Sequence, residues 1–271
     1  MIPYSAIVAA AEQYGVHPAT IEQDYCLTWL LLSLSGTALL KKSVFYGGTA
    51  IRKVYFHHRF SEDLDLTSDE NISARVIDSS LQSAIQRAKA NCNIEFRRHP
   101  ALDIYERSHA QIILRFNGFP ELAGAKEIKI DIVHGQPYSG NPIRVSFRGE
   151  YPDVKSKKIS LRVYSLAAIA ADKIDSILSQ TRTQPRDVFD IWHIFKHREL
   201  DIFELQKGFD KKYPVSLKVA LKELPAYLDR KAYEGLWKAR LAPQTPDLPE
   251  YKRVVEELQS GIRQMLRRLA V

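Results

Sequence analysis

The spacing of apolar residues changes twice along this chain. Over the first 40 residues it is helical, running through Ile21, Tyr25 and Trp29, with Pro18 as a start signal and Thr20 as a candidate cap. From Ser43 to about Phe147 the apolar runs become short, at residues 44–46, 64–66, 112–116, 128–133 and 143–147. These predict strands, with a helix over residues 72–92 between the second and the third. Beyond a basic link at residues 155–158 the pattern is helical again, broken by prolines between Pro243 and Pro249. The expected class is α+β: a small mixed sheet domain with flanking helices, residues 1–155, then an α-helical domain, residues 156–271.

Composition adds modest constraints. A hydrophobic content of 45% over 271 residues supplies a core for one large domain or two modest ones. The longest apolar run, residues 27–34, is interrupted by Thr28 and Ser33 and is far short of a membrane span. No basic segment followed by an apolar stretch and a cleavage site opens the chain, so a cytoplasmic protein without membrane association is expected. Cys26 and Cys92 lie too far apart for zinc or redox spacing and are expected as reduced, buried thiols. The net charge of +7 favours a polyanionic partner. Its excess is gathered at Arg97-Arg98, residues 155–158, Lys211-Lys212 and residues 263–268, each of which a solvated surface also explains.

The candidate chemistry begins at Phe45-Tyr46-Gly47-Gly48-Thr49. Two glycines after an apolar run let backbone approach something bulky and negative, and Thr49 is placed to cap the helix that follows. After one short helix comes Arg59-Phe60-Ser61-Glu62-Asp63-Leu64-Asp65-Leu66. A period of two puts Asp63 and Asp65 on one face of a strand and both leucines on the other. Two hard oxygen ligands beside a phosphate cradle suit magnesium, with manganese as the alternative. Asp131 offers a third ligand from the strand at 128–133, where Ile128, Ile130 and Ile132 share one face and Lys129, Asp131 and Val133 the other. An acid in such a strand is liganding, paired, or exposed on an edge strand. Arg59 can clamp phosphate oxygens, and Ser61 either caps the turn or serves as a phosphorylation point. His57-His58 has no partner at ligand spacing and is read as surface.

The order of these elements resembles the polymerase-beta-type nucleotidyltransferase fold, and within it the AbiEii/AbiGii-type nucleotidyltransferase toxins of bacterial toxin–antitoxin systems. The resemblance implies that Gly47, Gly48 and Thr49 hold nucleotide phosphates and that Asp63 and Asp65 bind catalytic metal. Asp24-Tyr25 followed by Leu27-Thr28 also resembles a helix that precedes the cradle in that family, although Gln23 stands where Lys is usual and receives no role.

Two features of the helical half bear on the resemblance. Leu166, Ile169, Ala170 and Ile177 fall on one face of a helix over residues 165–180, and Lys173 interrupts it, either reaching for an edge or carrying its ammonium to an anion. In the following helix Val188, Ile191, Trp192 and Phe195 form the expected buried stripe, while Arg186, Asp190, His193 and His197 form another, with Asp187 at the border. A solvated face with an Arg186–Asp190 ion pair explains the second stripe; the resemblance implies more. By it Lys173 contacts phosphate, Asp190 assists the acceptor hydroxyl or positions a metal, Asp187 supports, and the two halves form a nucleotide cleft.

The expected function is transfer of a nucleoside monophosphate from NTP to tRNA or another RNA, with growth arrest restrained by a cognate antitoxin. One alternative keeps the fold and transfers phosphate, or modifies a protein or small molecule. Another is a catalytically decayed basic module that binds RNA or an antitoxin.

Overall fold

The computed structural model describes residues 1–124, 126–179, 183–197, 200–229 and 231–270. They divide into two units, Met1–Pro137 with Ile143–Val163, and Tyr138–Pro142 with Tyr164–Val271.

The first unit opens with helices α1 (Tyr4–Tyr14), α2 (Pro18–Leu34) and α3 (Ala38–Lys42). Strand β1 (Val44–Tyr46) leads into the single turn α4 (Gly47–Ala50), which continues as a π-helical turn over Ile51–Phe56. Strand β2 (Leu64–Ser68) and helix α5 (Ala74–Cys92) follow. The remaining strands are β3 (Phe96–Arg98), β4 (Ile104–Tyr105), β5 (His109–Phe116), β6 (Glu127–His134), β7 (Ile143–Arg148) and β8 (Lys158–Val163). They form one mixed sheet in the order β3-β5-β6-β2-β1-β8-β7, with β4 paired to β5. β2 runs parallel to β6 and antiparallel to β1, and β1 runs parallel to β8.

Alternation decides which side of the sheet is apolar. Ile128, Ile130 and Ile132 have no exposed surface, nor have Leu64 and Leu66. Each such side chain favours folding by about 1.5–3 kcal/mol. α2 packs on α5 and is buried on nearly all sides, Glu22, Asp24, Thr28 and Ser33 included. Its N-cap is His17, whose Nδ1 accepts from the Ala19 amide at 3.1 Å, so Thr20 lies inside the helix and not at its cap. Pro18 fixes the first helical position and thereby the cap one residue earlier.

Three strands were not legible from the chain. β3 and β4 are too short to show a period, and β8 begins within the basic link, which hides the alternation of Ile159, Leu161 and Val163. Cys26 and Cys92 are buried and unbridged, and burial pushes both thiols up, that of Cys92 to about 11.

The second unit contains α6 (Leu166–Leu178), α7 (Pro185–His197), α8 (Ile202–Lys212), α9 (Leu217–Leu228), α10 (Lys231–Leu241) and α11 (Tyr251–Arg268). The Ser165 hydroxyl accepts from the Ala168 amide and caps α6. Gln180, expected at the end of that helix, lies outside the described residues. α6 packs on α7, α8 and α9, and α7 packs on α10 and α11. No helix among the described residues is long and apolar enough to cross a membrane.

Candidate active site

Gly47 has φ +77°, a backbone region that side chains rarely adopt, and a Cβ added there would lie 2.0 Å from Asp65 Oδ2. A Cβ at Gly48 would lie 2.7 Å from Arg59 Nη2 and 3.0 Å from Ser61 Oγ. The glycine pair therefore makes room for a carboxylate against one residue and for a guanidinium and a hydroxyl against the next. Thr49 is the third residue of this turn and not its cap; its hydroxyl donates to the Asp63 carbonyl, tying the turn to the start of β2. Arg59 and Ser61 are both buried, and Arg59 Nη1 donates to the Phe60 carbonyl at 2.9 Å.

The carboxylates are set by strand register. Asp65 is the partner of Tyr46 across β1 and of Asp131 across β6, which puts the Asp65 and Asp131 side chains level on adjacent strands. β6 lies inside the sheet, so edge exposure does not account for Asp131. Its Oδ1 accepts from Gln111 Nε2 at 2.9 Å, with His109 Nε2 at 3.5 Å, and its Oδ2 lies 2.8 Å from Lys129 Nζ. Burial raises the Asp131 carboxyl, but the hydrogen bonds from Lys129 and Gln111 outweigh this and hold it below the usual range.

Lys129, to which sequence reasoning gave no role, stands among the acids, 3.8 Å from Asp63 Oδ2 as well as beside Asp131. Burial lowers its ammonium; the Asp131 hydrogen bond and the charges of Asp63, Asp131 and Asp65 together raise it. Among the described residues no group of three His, Cys, Asp or Glu is gathered as a metal cage. Asp63, Asp65 and Asp131 still supply carboxylate oxygens of the kind a hard divalent cation takes, with the Lys129 ammonium and His109 beside Asp131.

Behind the cradle lies a second charge cluster. Asp24 Oδ2 accepts from Lys53 Nζ and, at 2.7 Å, from the Tyr151 hydroxyl, and Arg52 Nε lies 3.7 Å from Oδ1. Arg52 Nη2 pairs with Glu150 at 3.0 Å, and its guanidinium sits 4.3 Å from the centre of the Phe60 ring. Arg52 and Lys53 both belong to the π-helical turn, so two acids and two bases fix the backbone that continues the Gly-Gly-Thr turn. Burial pulls the Lys53 ammonium down; it would raise Glu150, but the His57 hydrogen bond and the charges of Arg52 and Lys53 carry that carboxyl to about 2. Gln23 acts beside them, donating to the Glu127 and Glu62 carbonyls at 2.8 and 3.2 Å, where β6 starts and the approach to β2 ends. Arg52, Lys53 and Tyr151, which meet the Asp24 carboxylate, lie far along the chain, beyond the reach of any local pattern.

In the second unit Lys173 Nζ lies 2.5 Å from Asp187 Oδ1 and 3.1 Å from Asp190 Oδ2. Asp187 is 3% exposed and Asp190 0%, so this is not a solvated face. The buried set of α7 also differs from the expected stripe, since Phe189 and Ile194 are buried and Phe195 only half-buried. Packing by α6, α10 and α11 on several sides of α7 widens the buried arc. His193 sits 4.3 Å from His197, ring centre to ring centre, and burial, then the neighbouring His197, bring its pKa down to about 4.

No curated protein matches the sequence significantly. Among solved structures, MenT4, a nucleotidyltransferase toxin of Mycobacterium tuberculosis H37Rv, superposes with a TM-score of 0.66 at 17% identity, covering 98% of this chain and 90% of that one. JHP933 from Helicobacter pylori superposes with a TM-score of 0.64 at 18% identity, covering 94% and 95%. At such identities the likeness speaks for the fold. The sequence itself matches the family described as "Nucleotidyl transferase AbiEii toxin, Type IV TA system" over residues 29–262, most of its length, and the chain belongs to that family of nucleotidyltransferase toxins.

Proposed function

We propose that this toxin transfers a nucleoside monophosphate from an NTP to tRNA or another RNA, in the cytoplasm, with magnesium as the metal and a cognate antitoxin in restraint. The observation that carries the proposal is the level placement of Asp65 and Asp131 beside the Gly47-Gly48 turn, with Asp63 two residues before Asp65 and Arg59 against Gly48.

In the reaction the acceptor hydroxyl oxygen bonds to the α-phosphorus, the bond from that phosphorus to the bridging oxygen breaks, and pyrophosphate leaves. Asp63, Asp65 and Asp131 would hold magnesium, which when bound neutralises triphosphate charge. Arg59 and the backbone of Gly47, Gly48 and Thr49 are assigned to the phosphates, and Ser61 to their support. By the family resemblance Lys173 is assigned to phosphate and Asp190 to assisting the acceptor hydroxyl or positioning a metal; Asp187, paired with Lys173, is assigned a supporting role.

The test is incubation of the full chain with magnesium, total RNA and NTP labelled at either the α or the γ phosphate. Label retained in RNA from α-labelled NTP alone supports the proposal. RNA labelled from the γ position means phosphate transfer, and unlabelled RNA, or labelling equal in Asp65→Asn, overturns it.

A further inference from the structure

The last two strands of the sheet present a ladder of like charges. In the antiparallel β7–β8 pair, Arg144 stands opposite Arg162, Ser146 opposite Ser160 and Arg148 opposite Lys158. The period of two gathers these six on one face and leaves Ile143, Val145, Phe147, Ile159, Leu161 and Val163 on the other. Arg144, Ser146, Arg148, Lys158 and Ser160 are exposed, and Arg162 is half-buried. Among the described residues Arg144, Arg148 and Lys158 enter no ion pair.

Like charges directly opposite weaken an antiparallel pair, and the Arg148–Lys158 rung is such a pair. Guarding a sheet edge, the ordinary reason for charge on an outer strand, involves β7 alone and is met equally by mixed signs. A polyanion along the ribbon removes the repulsion. Residues two apart in a strand are separated by about 6.6 Å, so the Arg144 and Arg148 rungs lie about 13 Å apart with two hydroxyls between. That length suits successive phosphates of a strand better than one small anion. Arginine, lysine and serine are the side chains that grip phosphate, and the face has no aromatic residue on which a base could stack. It also has no large apolar side chain to enter a lipid interface.

We propose that the β7–β8 ribbon binds the sugar-phosphate backbone of the RNA acceptor, without regard to sequence. The identity of the polyanion rests on the RNA-acceptor function proposed above.

The test uses the full chain carrying Arg144→Glu with Arg148→Glu. Each reversal puts an acid opposite a base, Arg162 or Lys158, so the sheet is relieved and the variant folds. Binding of fluorescent bulk tRNA is followed by anisotropy without NTP, over about 50–200 mM salt, beside the melting temperature. The expected result is affinity at least about tenfold weaker, a slope of log K against log salt flatter by about 2, and an unchanged or higher melting temperature. Unchanged affinity and slope overturn the ribbon, as does a wild-type chain that binds no RNA. Loss of binding to phosphatidylserine vesicles with RNA binding intact overturns it in favour of a membrane. Nucleotide transfer assayed in parallel separates the two proposals: RNA bound through the ribbon but never labelled defeats the transfer function alone, and labelled RNA with the ribbon variant binding normally defeats the ribbon alone.

Discussion

Replacing Lys129 by Met removes an ammonium that lies beside Asp131 and Asp63. Nζ is 2.8 Å from Asp131 and 3.8 Å from Asp63, with the lysine side chain 35% exposed. Solvent screening at that exposure reduces each pairing to about 1 kcal/mol or less, so the variant loses about 1–2 kcal/mol of stability without metal. Metal affinity moves the other way. A divalent charge about 4 Å from the ammonium, at the dielectric of water, is opposed by about 2 kcal/mol. Removing that opposition tightens magnesium binding by about ten- to thirtyfold, since 1.4 kcal/mol is a factor of ten. Calorimetric titration of magnesium into wild type and Lys129→Met reads the affinity, and melting curves with and without magnesium read the linked stability. Equal or weaker magnesium binding in Lys129→Met would refute the reasoning, because it would show that the ammonium and the metal do not compete for these carboxylates.

Three further outcomes follow from the geometry. Gly47→Ala meets both a positive φ and the Asp65 carboxylate, so denaturant unfolding should show a loss of at least about 1–2 kcal/mol, with nucleotide transfer abolished. Asp24→Asn leaves Lys53 buried without its counter-charge and should cost about 3–5 kcal/mol by urea unfolding; adding Lys53→Met should recover most of this because both charges then leave. His193 has its pKa lowered from 6.5 to about 4, so the unfolded chain binds its proton more readily. Its share of stability is therefore full above about pH 6.5 and lost as pH falls towards 4, and a His193→Gln melting profile that retains the same slope over that window would contradict this assignment.

Legibility in the sequence followed the number of sides on which an element is packed. Strands β2 and β6 bury one face fully, so Leu64, Leu66, Ile128, Ile130 and Ile132 announced themselves by alternation, and with them the faces of Asp65 and Asp131; Asp63, expected on the same strand, lies just before β2. α2 and α7 are covered on several sides and lack a clean polar face. For that reason Asp190 could be read as solvated although it has no exposed surface, and Asp24 gave no sign that Lys53, Arg52 and Tyr151 converge on it. A buried acid with distant partners leaves no periodic trace, because its environment is assembled by the tertiary fold.

The glycine pair shows how two motifs that read as separate signals constrain one another. From the chain, Gly47-Gly48 reads as space for phosphates and Asp63-Leu64-Asp65 as a metal strand. In the fold Asp65 fills the space beside Gly47, and Arg59 with Ser61 fills the space beside Gly48. A side chain at position 47 would force the Asp65 carboxylate to shift, and one at position 48 would displace the Arg59 guanidinium. The antiparallel pairing of Tyr46 with Asp65 fixes this closeness at the level of backbone register, and Thr49 bonded to the Asp63 carbonyl fixes it again one turn further on. The cradle and the carboxylate strand therefore form one steric unit, in which the glycines are required first by the protein's own charged side chains. A substitution at either glycine consequently acts on Asp65 or Arg59 before it acts on any nucleotide, and its effect on transfer should be accompanied by a loss of stability even in the absence of ligand.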